Sequence, residues 1–591
     1  MRGILVITIA IFSVFTVQLV RIQGLDAAAV AAEALELRNR TEVLPSLRGQ
    51  IVDSEGVVLA QSIERRTVTV DQTAVPEYIR RVDGVRTNVG VAGAAEALAP
   101  LLGMSEATLI GELTGEARYR IIAKDVSVPT WRQIAALGIP GVYSERTTQR
   151  DYPQSTTAAS LVGWVYADGQ PGGGLELMLD EILHGENGSA KHETSPSGRI
   201  IPNGRQIVED PVDGRKVELT INSAIQWYSQ NELAQGIAQF GAESGTVVVQ
   251  NAKTGEVLTV ASYPSYDPNK IGSATGNLDN LAFTQVFEPG STNKIITVAA
   301  ALQEGVVTAD QPVVVPNRLP RADRSFKDAS DHPTLFYTAA GVLAHSSNIG
   351  TILIGEQLEA TTLEEYFRAF GMGSTTGIGF PNESPGLVTA ADRMSGSQRY
   401  TVMFGQGMSV TALQSASAFQ TIANGGVRIQ PTLIKAVENE DGIMVATDPP
   451  EEKRVVDEEV ADTIVHMLEG AVADDGSARR AQVAGYRVAG KTGTADRYDE
   501  RLGRYSGRTA SFIGMVPADD PELIVTVIVQ NPTSGFFGSV VAAPIFKNIA
   551  TYALGELGVP PTGAELDPLV LELEEPPSKF DSRVLGAEYL P

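Results

Sequence analysis

A nearly unbroken apolar run close to the N-terminus constrains the fold of this 591-residue chain more than any other feature. The run extends from Ile4 to Val20 and is flanked by Arg2 and Arg21. Because a segment of this length in lipid must satisfy its own backbone hydrogen bonds, it is predicted to form a membrane-anchoring helix. The alternative is a cleaved signal peptide, for which the small residues of Ala27–Ala29 would provide the cleavage site.

The charges beside this segment predict its orientation. Arg2 and the amino terminus favour a cytoplasmic start, so residues 1–22 are predicted to form a short cytoplasmic start and a transmembrane signal anchor. The rest of the chain is then expected to lie outside the cytoplasm, which makes this a single-pass protein of the plasma membrane.

Composition excludes several classes of function. A formal net charge of −25 argues against a nucleic-acid partner. The absence of cysteine excludes disulfides and thiolate metal sites. The five histidines show no spacing typical of metal ligands, so no metal site is predicted.

Two patterned regions follow the apolar run. Residues 23–242 mix strand and helix patterns, with a helix predicted over 27–40, a hairpin turn at Asp53–Gly56 and an amphipathic helix near 92–102. Within this region the polar segment 184–205 is predicted to be a loop, and a strand at 217–221 and a helix at 224–240 are predicted to end it.

A new pattern begins at Ser244. A strand hairpin is predicted over residues 246–261, and helices are predicted to dominate from 291 to about 423. Further predicted elements are strands at 487–489, 511–515 and 523–529 and a long helix at 543–557. Residues 559–591 are acidic and contain prolines, so this tail is predicted to be disordered.

Ser291 and Lys294 form the first candidate motif. They are three positions apart, directly after Pro289 and Gly290, and the apolar run 295–302 predicts that a buried helix starts here. On a helix the two side chains share one face, where a desolvated amine of lowered pKa can take the proton from a serine hydroxyl. The spacing indicates an acylation centre, although a helix cap beside a surface lysine is the alternative for this motif taken alone.

A second motif, Ser346 and Asn348, lies downstream. The hydroxyl of Ser346 can relay a proton between Lys294 and a leaving amine. The amide of Asn348 can both donate to and accept from a peptide substrate. A polar turn is the alternative interpretation of this short pattern.

The third motif is Lys491–Thr494, which is predicted to follow a strand over residues 486–489. Lys491 adds positive charge, and the hydroxyls of Thr492 and Thr494 can bind a terminal carboxylate. Gly493 lets a substrate backbone approach the strand edge. A simple turn is the alternative for this motif alone, but the three motifs in this order are much rarer than any one of them.

The stretch Gly485–Thr492 also matches the phosphate-binding pattern Gly-x4-Gly-Lys-Thr. That pattern requires a glycine-rich loop between a strand and a helix, whereas its interior here is predicted to be a strand and no helix is predicted after it. The strand at 523–529 also ends without a metal-binding aspartate. A nucleotide-binding protein is therefore the disfavoured alternative of another class.

With these motifs the sequence resembles the class B penicillin-binding proteins, and the resemblance covers nearly the whole chain. Residues 288–302 are similar to the nucleophile helix of the family. Other stretches similar to motifs of that family are residues 48–60, 150–163, 174–185, 405–414 and 512–517.

The resemblance implies an α+β multidomain fold. After the N-terminal membrane helix, residues 23–242 would form an elongated mixed α/β pedestal domain of the dimerisation type. Residues 243–558 would form a penicillin-binding transpeptidase domain, with an antiparallel sheet flanked by helices and a helical subdomain. Residues 559–591 would remain an acidic disordered tail.

The resemblance also implies roles for the candidate residues. Ser291 would be the nucleophile and Lys294 its general base, with Ser346 as the third catalytic residue. The backbone N–H groups of Ser291 and Thr494 would form an oxyanion hole. The residues implied in substrate binding are Asn348, Lys491, Thr492, Gly493 and Thr494.

The implied reaction is peptidoglycan D,D-transpeptidation without a cofactor or metal. Ser291 would attack the penultimate D-Ala of a D-Ala-D-Ala stem peptide, and an amine of a second stem peptide would take the acyl group. β-Lactams would acylate Ser291 as substrate mimics. Residues 326–328 and 517–521 resemble the septal, cell-division enzyme, which implies a membrane glycosyltransferase and other divisome proteins as partners.

Two alternatives on the same fold remain. One is a hydrolase, either a D,D-carboxypeptidase or a β-lactamase, although the Glu-x-x-Leu-Asn pattern of the commonest serine β-lactamases is absent from the sequence. The other is a penicillin-sensing or structural protein without catalytic turnover.

Overall fold

The computed structural model describes residues 2–25, 39–193, 206–499, 502–563, 565 and 568–590. The chain divides into two compact units, which are discontinuous in sequence. The first comprises Met1–Gly49, Ser62–Asp151 and Ile182–Arg215, and the second comprises Gln50–Gln61, Tyr152–Glu181 and Lys216–Pro591.

The N-terminal apolar run forms the helix Arg2–Val20, which continues as a π-helical turn over Arg21–Leu25. Its large apolar side chains are exposed, and the helix is long and apolar enough to cross a membrane. These properties fit a single-pass anchor. The helix predicted over residues 27–40 lies mostly outside the described residues, and at its end Asn39 begins a strand instead.

The rest of the first unit packs three helices against strands. Leu98, Leu109 and Ile134, one from each helix, are almost fully buried in its core. The helices are Gly90–Leu102, Glu106–Leu113 and Val128–Ala136. The strands are Asn39–Leu44, Ile79–Val82, Val85–Asn88, Arg120–Ser127, Val142–Asp151, Gly188–Glu193, Gln206–Glu209 and the later part of Val58–Val70.

Two sequence predictions for this unit have different outcomes. The predicted amphipathic helix near 92–102 is confirmed. The segment 184–205 is not a loop throughout, because Gly188–Glu193 pairs antiparallel with Asn39–Leu44. Residues 194–205 of that segment lie outside the described residues.

The predicted hairpin turn at residue 53 is confirmed in the second unit. Ile51–Val52 pairs with the start of Val58–Val70, and Asp53 Oδ1 accepts from the Val57 backbone N–H at 2.7 Å. Asp53 Oδ2 accepts from Ser223 N at 3.0 Å, at the first residue of helix α1, Ser223–Phe240. This buried carboxylate therefore ties the hairpin to the helix.

The second unit contains six further helices that bear on the candidate site. They are α2 Lys294–Gln303, α3 Ala339–Ala344, α4 Asn348–Gly355, α5 Ala412–Ala423, α6 Glu458–Val472 and α7 Gly538–Glu556. Shorter or more distant helices are Ala159–Val162, Gly174–Met178, Leu281–Thr284, Ala360–Ala369 and Gln398–Thr401.

A five-stranded antiparallel sheet organises this unit. Its strands are β1 Ser244–Asn251, β2 Val257–Tyr263, β3 Ala489–Asp499, β4 Arg504–Val516 and β5 Leu523–Gln530, in the spatial order β2-β1-β5-β4-β3. Strand pairs away from this sheet involve Pro312–Val315, Leu319–Arg321, Arg324–Phe326, Leu335–Thr338, Val427–Ile429, Ile434–Glu438, Met444–Ala446 and Glu452–Arg454.

Alternation of side chains explains why the central strands are apolar throughout. In β1 and β5, residues such as Val247, Val249 and Val527 pack with α1 and α7 in one core. The intervening residues of these strands point to the opposite face, on which α5 packs. The sheet is thus covered on both sides, and β3 is left at one edge.

Helix α1 belongs with this sheet, although the sequence places it at the end of the preceding domain. The Gln226 side chain donates to Val260 O at 2.9 Å and accepts from Val260 N at 2.8 Å on strand β2. The closing helix begins at Gly538 rather than at 543, with Pro544 inside it.

The prediction that residues beyond 559 are disordered is wrong for residues 568–590. Leu585 N donates to Pro312 O at 3.0 Å, and Leu573 N donates to Phe336 O at 2.9 Å. The segment is acidic and contains prolines, but several of its backbone groups bond to the strands beneath it, and the Leu571 side chain packs beside Gly470. Composition alone does not register such contacts, since the partners are more than 200 residues away in sequence.

Candidate active site

A tight backbone contact holds the segment that carries Ser291. Gly290 adopts φ +55°, and its N–H donates to Gly405 O at 2.9 Å. A Cβ on Gly405 would lie 2.2 Å from Gly290 O, so only glycine fits there. Ser291 lies half-buried in a 3₁₀ turn over Gly290–Asn293 that leads into α2. The predicted helix start is therefore confirmed, with a 3₁₀ first turn.

Lys294 is completely buried at the start of α2. Its Nζ donates to Ser346 O at 2.5 Å and to Ser346 Oγ at 3.3 Å. Burial lowers the pKa of Lys294 to about 7, and the charge of Asp328 opposes part of that shift. The amine can therefore be neutral, and able to accept a proton, near neutral pH.

The second motif lies between two short helices. Ser346 follows α3 and has a left-handed backbone with φ +63°, a conformation that is costly for a residue other than glycine. Ser347 Oγ accepts from Gly350 N at 2.9 Å and so caps α4. Asn348 is the first residue of α4, and its Nδ2 donates to Lys327 O at 3.1 Å.

One carboxylate fixes this turn, and sequence reasoning assigned it no role. Asp328 Oδ1 accepts from the backbone N–H groups of Asn348 at 2.5 Å and Ile349 at 3.0 Å, and Oδ2 accepts from Ser347 Oγ at 2.7 Å. A carboxylate at the N-terminus of α4 is also favoured by the helix dipole. Because Asp328 lies 20 residues before Asn348, no local spacing signals this contact.

The third motif lies within edge strand β3 rather than after a strand, because the strand begins only at Ala489. Lys491 is completely buried, and burial together with the charge of Lys294 holds its pKa well below the usual lysine value. A Cβ on Gly493 would lie 3.0 Å from Pro289 O and 2.2 Å from Ser511 Oγ. Glycine therefore allows the close approach of β3 to the segment before Ser291.

The remaining residues of the third motif are half-buried on β3. Thr494 Oγ1 accepts from Gly538 N at 3.1 Å, which leaves its hydroxyl hydrogen for donation to another acceptor. Thr492 is two positions earlier on the same strand. The structure thus brings the three motifs together: Ser346 contacts Lys294, and β3 lies beside the turn that carries Ser291.

A second unassigned carboxylate lies directly before the Ser291 turn. Glu288 Oε1 accepts from Gly407 N at 3.0 Å and from the Tyr505 hydroxyl at 2.8 Å. Burial raises the pKa of Glu288, whereas these two hydrogen bonds oppose the shift. Glu288 therefore links the Ser291 segment to the loop that contains Gly405 and Gly407, and also to strand β4.

The strand around Lys491 excludes the nucleotide-binding alternative. Lys491 pairs with Ile513 in the antiparallel ladder, and the chain continues as strand to Asp499. A phosphate-binding loop instead requires a helix N-terminus directly after its lysine.

Comparisons with known families agree with this geometry. The model of the penicillin binding protein transpeptidase domain matches residues 245–551. The model of the penicillin-binding protein dimerisation domain matches residues 43–219.

Characterised relatives match over most of their length. The chain is 34% identical to the penicillin-binding protein PbpB of Mycolicibacterium smegmatis, over 95% of this chain and 91% of that protein. It is 31% identical to the peptidoglycan D,D-transpeptidase FtsI of Escherichia coli, over 88% of this chain and 86% of that protein.

Solved structures show the same fold. The structure of penicillin-binding protein 3 from Mycobacterium tuberculosis in complex with aztreonam is similar with a TM-score of 0.69 and 31% identity. The similarity covers 90% of this chain and 100% of that one.

Proposed function

Since this chain belongs to the class B penicillin-binding proteins, we propose that Ser291 is the nucleophile with which it cross-links peptidoglycan. The chain is a serine-type D-Ala-D-Ala transpeptidase of the septal type, like its relatives PbpB and FtsI. The observation that carries the residue assignment is the buried Lys294 amine, which has a pKa of about 7 and lies 3.3 Å from the hydroxyl of Ser346.

The first half-reaction follows from the positions of these groups. Ser291 Oγ attacks the carbonyl of the penultimate D-Ala while the neutral amine of Lys294 takes the hydroxyl proton. The peptide C–N bond then breaks, and the terminal D-Ala leaves as an amine. Ser346 relays the proton from Lys294 to that leaving nitrogen.

The second half-reaction reverses the proton path. The amine of another stem peptide attacks the Ser291 ester, and its proton passes through Ser346 and Lys294 back to Ser291 Oγ. A new amide cross-link forms, and the serine is regenerated. A β-lactam acylates the same oxygen when its strained amide opens, which leaves a stable ester.

The other candidate residues bind and orient the substrate in this proposal. The Asn348 amide binds the peptide backbone of the donor stem. The hydroxyl of Thr494 donates to the terminal carboxylate of the donor stem, beside Thr492 and Lys491. Gly493 allows β3 to lie close to the turn that carries Ser291. The backbone N–H groups of Ser291 and Thr494 stabilise the oxyanion.

Labelling with a fluorescent penicillin tests the nucleophile. The full chain in detergent should be labelled covalently, the Ser291→Ala variant should not be labelled, and the exposed Ser273→Ala variant should be labelled as the wild type is. Equal labelling of wild type and Ser291→Ala would refute the assignment. A second assay incubates a stem-peptide donor with an acceptor amine and analyses the products by mass spectrometry. A cross-linked dimer shows transfer to the amine, whereas a donor that has only lost its terminal D-Ala shows hydrolysis.

We propose that the second unit lies outside the cytoplasm. The chain contains no cysteine, so a Ser273→Cys variant carries a single thiol at an exposed position. A maleimide that reaches the outer face of the plasma membrane but does not cross it should label this thiol in intact cells, without lysis. Labelling that requires lysis would contradict the topology.

The septal assignment also suggests a membrane glycosyltransferase and other division proteins as partners. Helix Arg2–Val20 is long and apolar enough to cross a membrane, so it would lie in the same bilayer as such a glycosyltransferase. Replacing this helix with an unrelated transmembrane helix should reduce co-purification of the glycosyltransferase but leave penicillin labelling unchanged. Unchanged co-purification would place the contact elsewhere or exclude it.

A further inference from the structure

The C-terminal segment contacts the N-terminal end of helix α3. Thr338, which caps this helix, donates from Oγ1 to Val570 O at 2.7 Å and from its backbone N–H to Leu571 O at 3.0 Å. The same Thr338 Oγ1 accepts from Gly341 N at 3.0 Å. A single hydroxyl thus connects the C-terminal segment to the first turn of α3.

Steric contact reinforces these hydrogen bonds. Leu571 O lies so close to Gly341 that a Cβ there would be 1.9 Å from it. The Leu571 side chain lies beside Gly470 of α6, next to Ala344 at the end of α3. Leu571 therefore fills the corner between α3 and α6.

The next residue reaches the opposite end of α3. Glu572 Oε1 lies 3.2 Å from Nε2 of His345, and the His345 ring stacks on Tyr337 with 4.9 Å between centroids. His345 ends α3, and the next residue is Ser346, whose carbonyl accepts from Lys294. The C-terminal segment therefore contacts both ends of the helix that precedes Ser346.

A second anchor lies further along the segment. Leu585 N donates to Pro312 O, and Val314 N donates to Leu585 O at 2.9 Å. Gln311 Nε2 donates to Arg583 O at 2.8 Å. The C-terminal segment is thus attached at two places, at α3 through residues 570–573 and at residues 311–314 through residues 583–585.

We propose that residues 570–573, the C-terminal strap, are positioning residues for Ser346 in acyl transfer. This inference rests on the proposed function and adds an element outside the three motifs. Helix α3 has only six residues, too few to be stable alone, so its position depends on what packs on it. A shift of about 1 Å in a proton-transfer group can lower a rate about 10²-fold.

The Gly341→Ala variant tests the strap without removing a catalytic group. Alanine favours a helix more than glycine does, so a loss of activity cannot come from helix propensity. The added methyl group displaces Leu571 O. The control is Gly555→Ala on α7, where a Cβ meets nothing within 4 Å.

The readout is penicillin acylation of the full chain in detergent, separated into a limiting rate constant and a half-saturating concentration. We expect Gly341→Ala to lower the limiting rate about 10- to 100-fold. The half-saturating concentration should change little, because the strap contacts α3 rather than the substrate. An unchanged limiting rate would overturn the proposal, and so would a loss confined to the half-saturating concentration.

A deletion of residues 568–591 completes a double-mutant cycle. The deletion should slow acylation as Gly341→Ala does, and Gly341→Ala should have no further effect in the truncated chain. Wild-type rates after deletion, or fully multiplicative losses, would overturn the proposal. If the truncated chain does not fold, the comparison of Gly341→Ala with Gly555→Ala in the full chain decides. Loss of labelling in Ser291→Ala tests the nucleophile independently of the strap.

Discussion

The two sides of the active site are held in place by different means. The turn that carries Ser291 is fixed by backbone contact, with Gly405 so close to Gly290 that a Cβ on Gly405 would lie 2.2 Å from Gly290 O. The turn that carries Ser346 is fixed by the side chain of Asp328 and by the C-terminal strap. Close backbone contact leaves a glycine directly before the motif, at Gly290, whereas distant side chains and a distant segment leave no local pattern.

The buried amine connects the two sides, so its removal should have the largest effect. We expect Lys294→Met to lower penicillin acylation on the order of 10³-fold, because the serine loses its base. We also expect the midpoint of thermal unfolding to rise at pH 7, because a charge no longer has to be buried or neutralised. Stopped-flow acylation and calorimetry of the full chain measure the two effects.

The size of this stability effect depends on pH. The pKa of Lys294 is about 7 in the folded chain and 10.5 without burial, so the unfolded chain binds more protons between these values. The penalty is therefore largest at and below pH 7 and disappears toward pH 10.5. The exposed Lys270→Met variant is the control, and a lower midpoint for Lys294→Met at pH 7 would contradict the argument.

The backbone contact predicts the next largest effect. In Gly405→Ala the new Cβ would meet Gly290 O at 2.2 Å in a residue with φ +80°, so the Ser291 turn must shift. We expect acylation to slow about 10²-fold. Gly272→Ala, where a Cβ meets nothing within 4 Å, should acylate normally. Normal acylation by Gly405→Ala would show that the contact does not position Ser291.

A smaller effect is expected on the side-chain-supported turn. Asp328→Asn keeps one oxygen for the N–H groups of Asn348 and Ile349, but its amide cannot accept the hydroxyl proton of Ser347. We expect about a tenfold slower acylation and a lower unfolding midpoint. Exposed Asp323→Asn is the matched control. A loss as large as that of Gly405→Ala would mean that both turns are equally rigid.

The sequence predicts the parts of this molecule that depend on local patterns. The hairpin at Asp53, the central strands and the Ser291 helix follow from periodicity and turn residues. Other features depend on contacts between segments far apart in sequence. They are the position of strand β3 at the edge of the sheet, the role of Asp328 and the docking of residues 568–590. The acidic tail is the clearest case, since its composition is typical of disorder while its backbone is bound.

The smallest predicted effect is a shift in pH dependence that joins the two sides. Acylation requires the neutral Lys294 amine, so the rate should be about half-maximal at pH 7 and fall about tenfold for each unit below. The charge of Asp328 raises the pKa of Lys294, so Asp328→Asn should move the midpoint of the profile to lower pH. Lys491 is also buried, but it is the same in the wild type and in Asp328→Asn, so the comparison isolates the effect of Asp328. A profile whose midpoint stays at the wild-type pH in Asp328→Asn would show that the two turns act independently, and one that moves to higher pH would contradict the assignment of Lys294 as base.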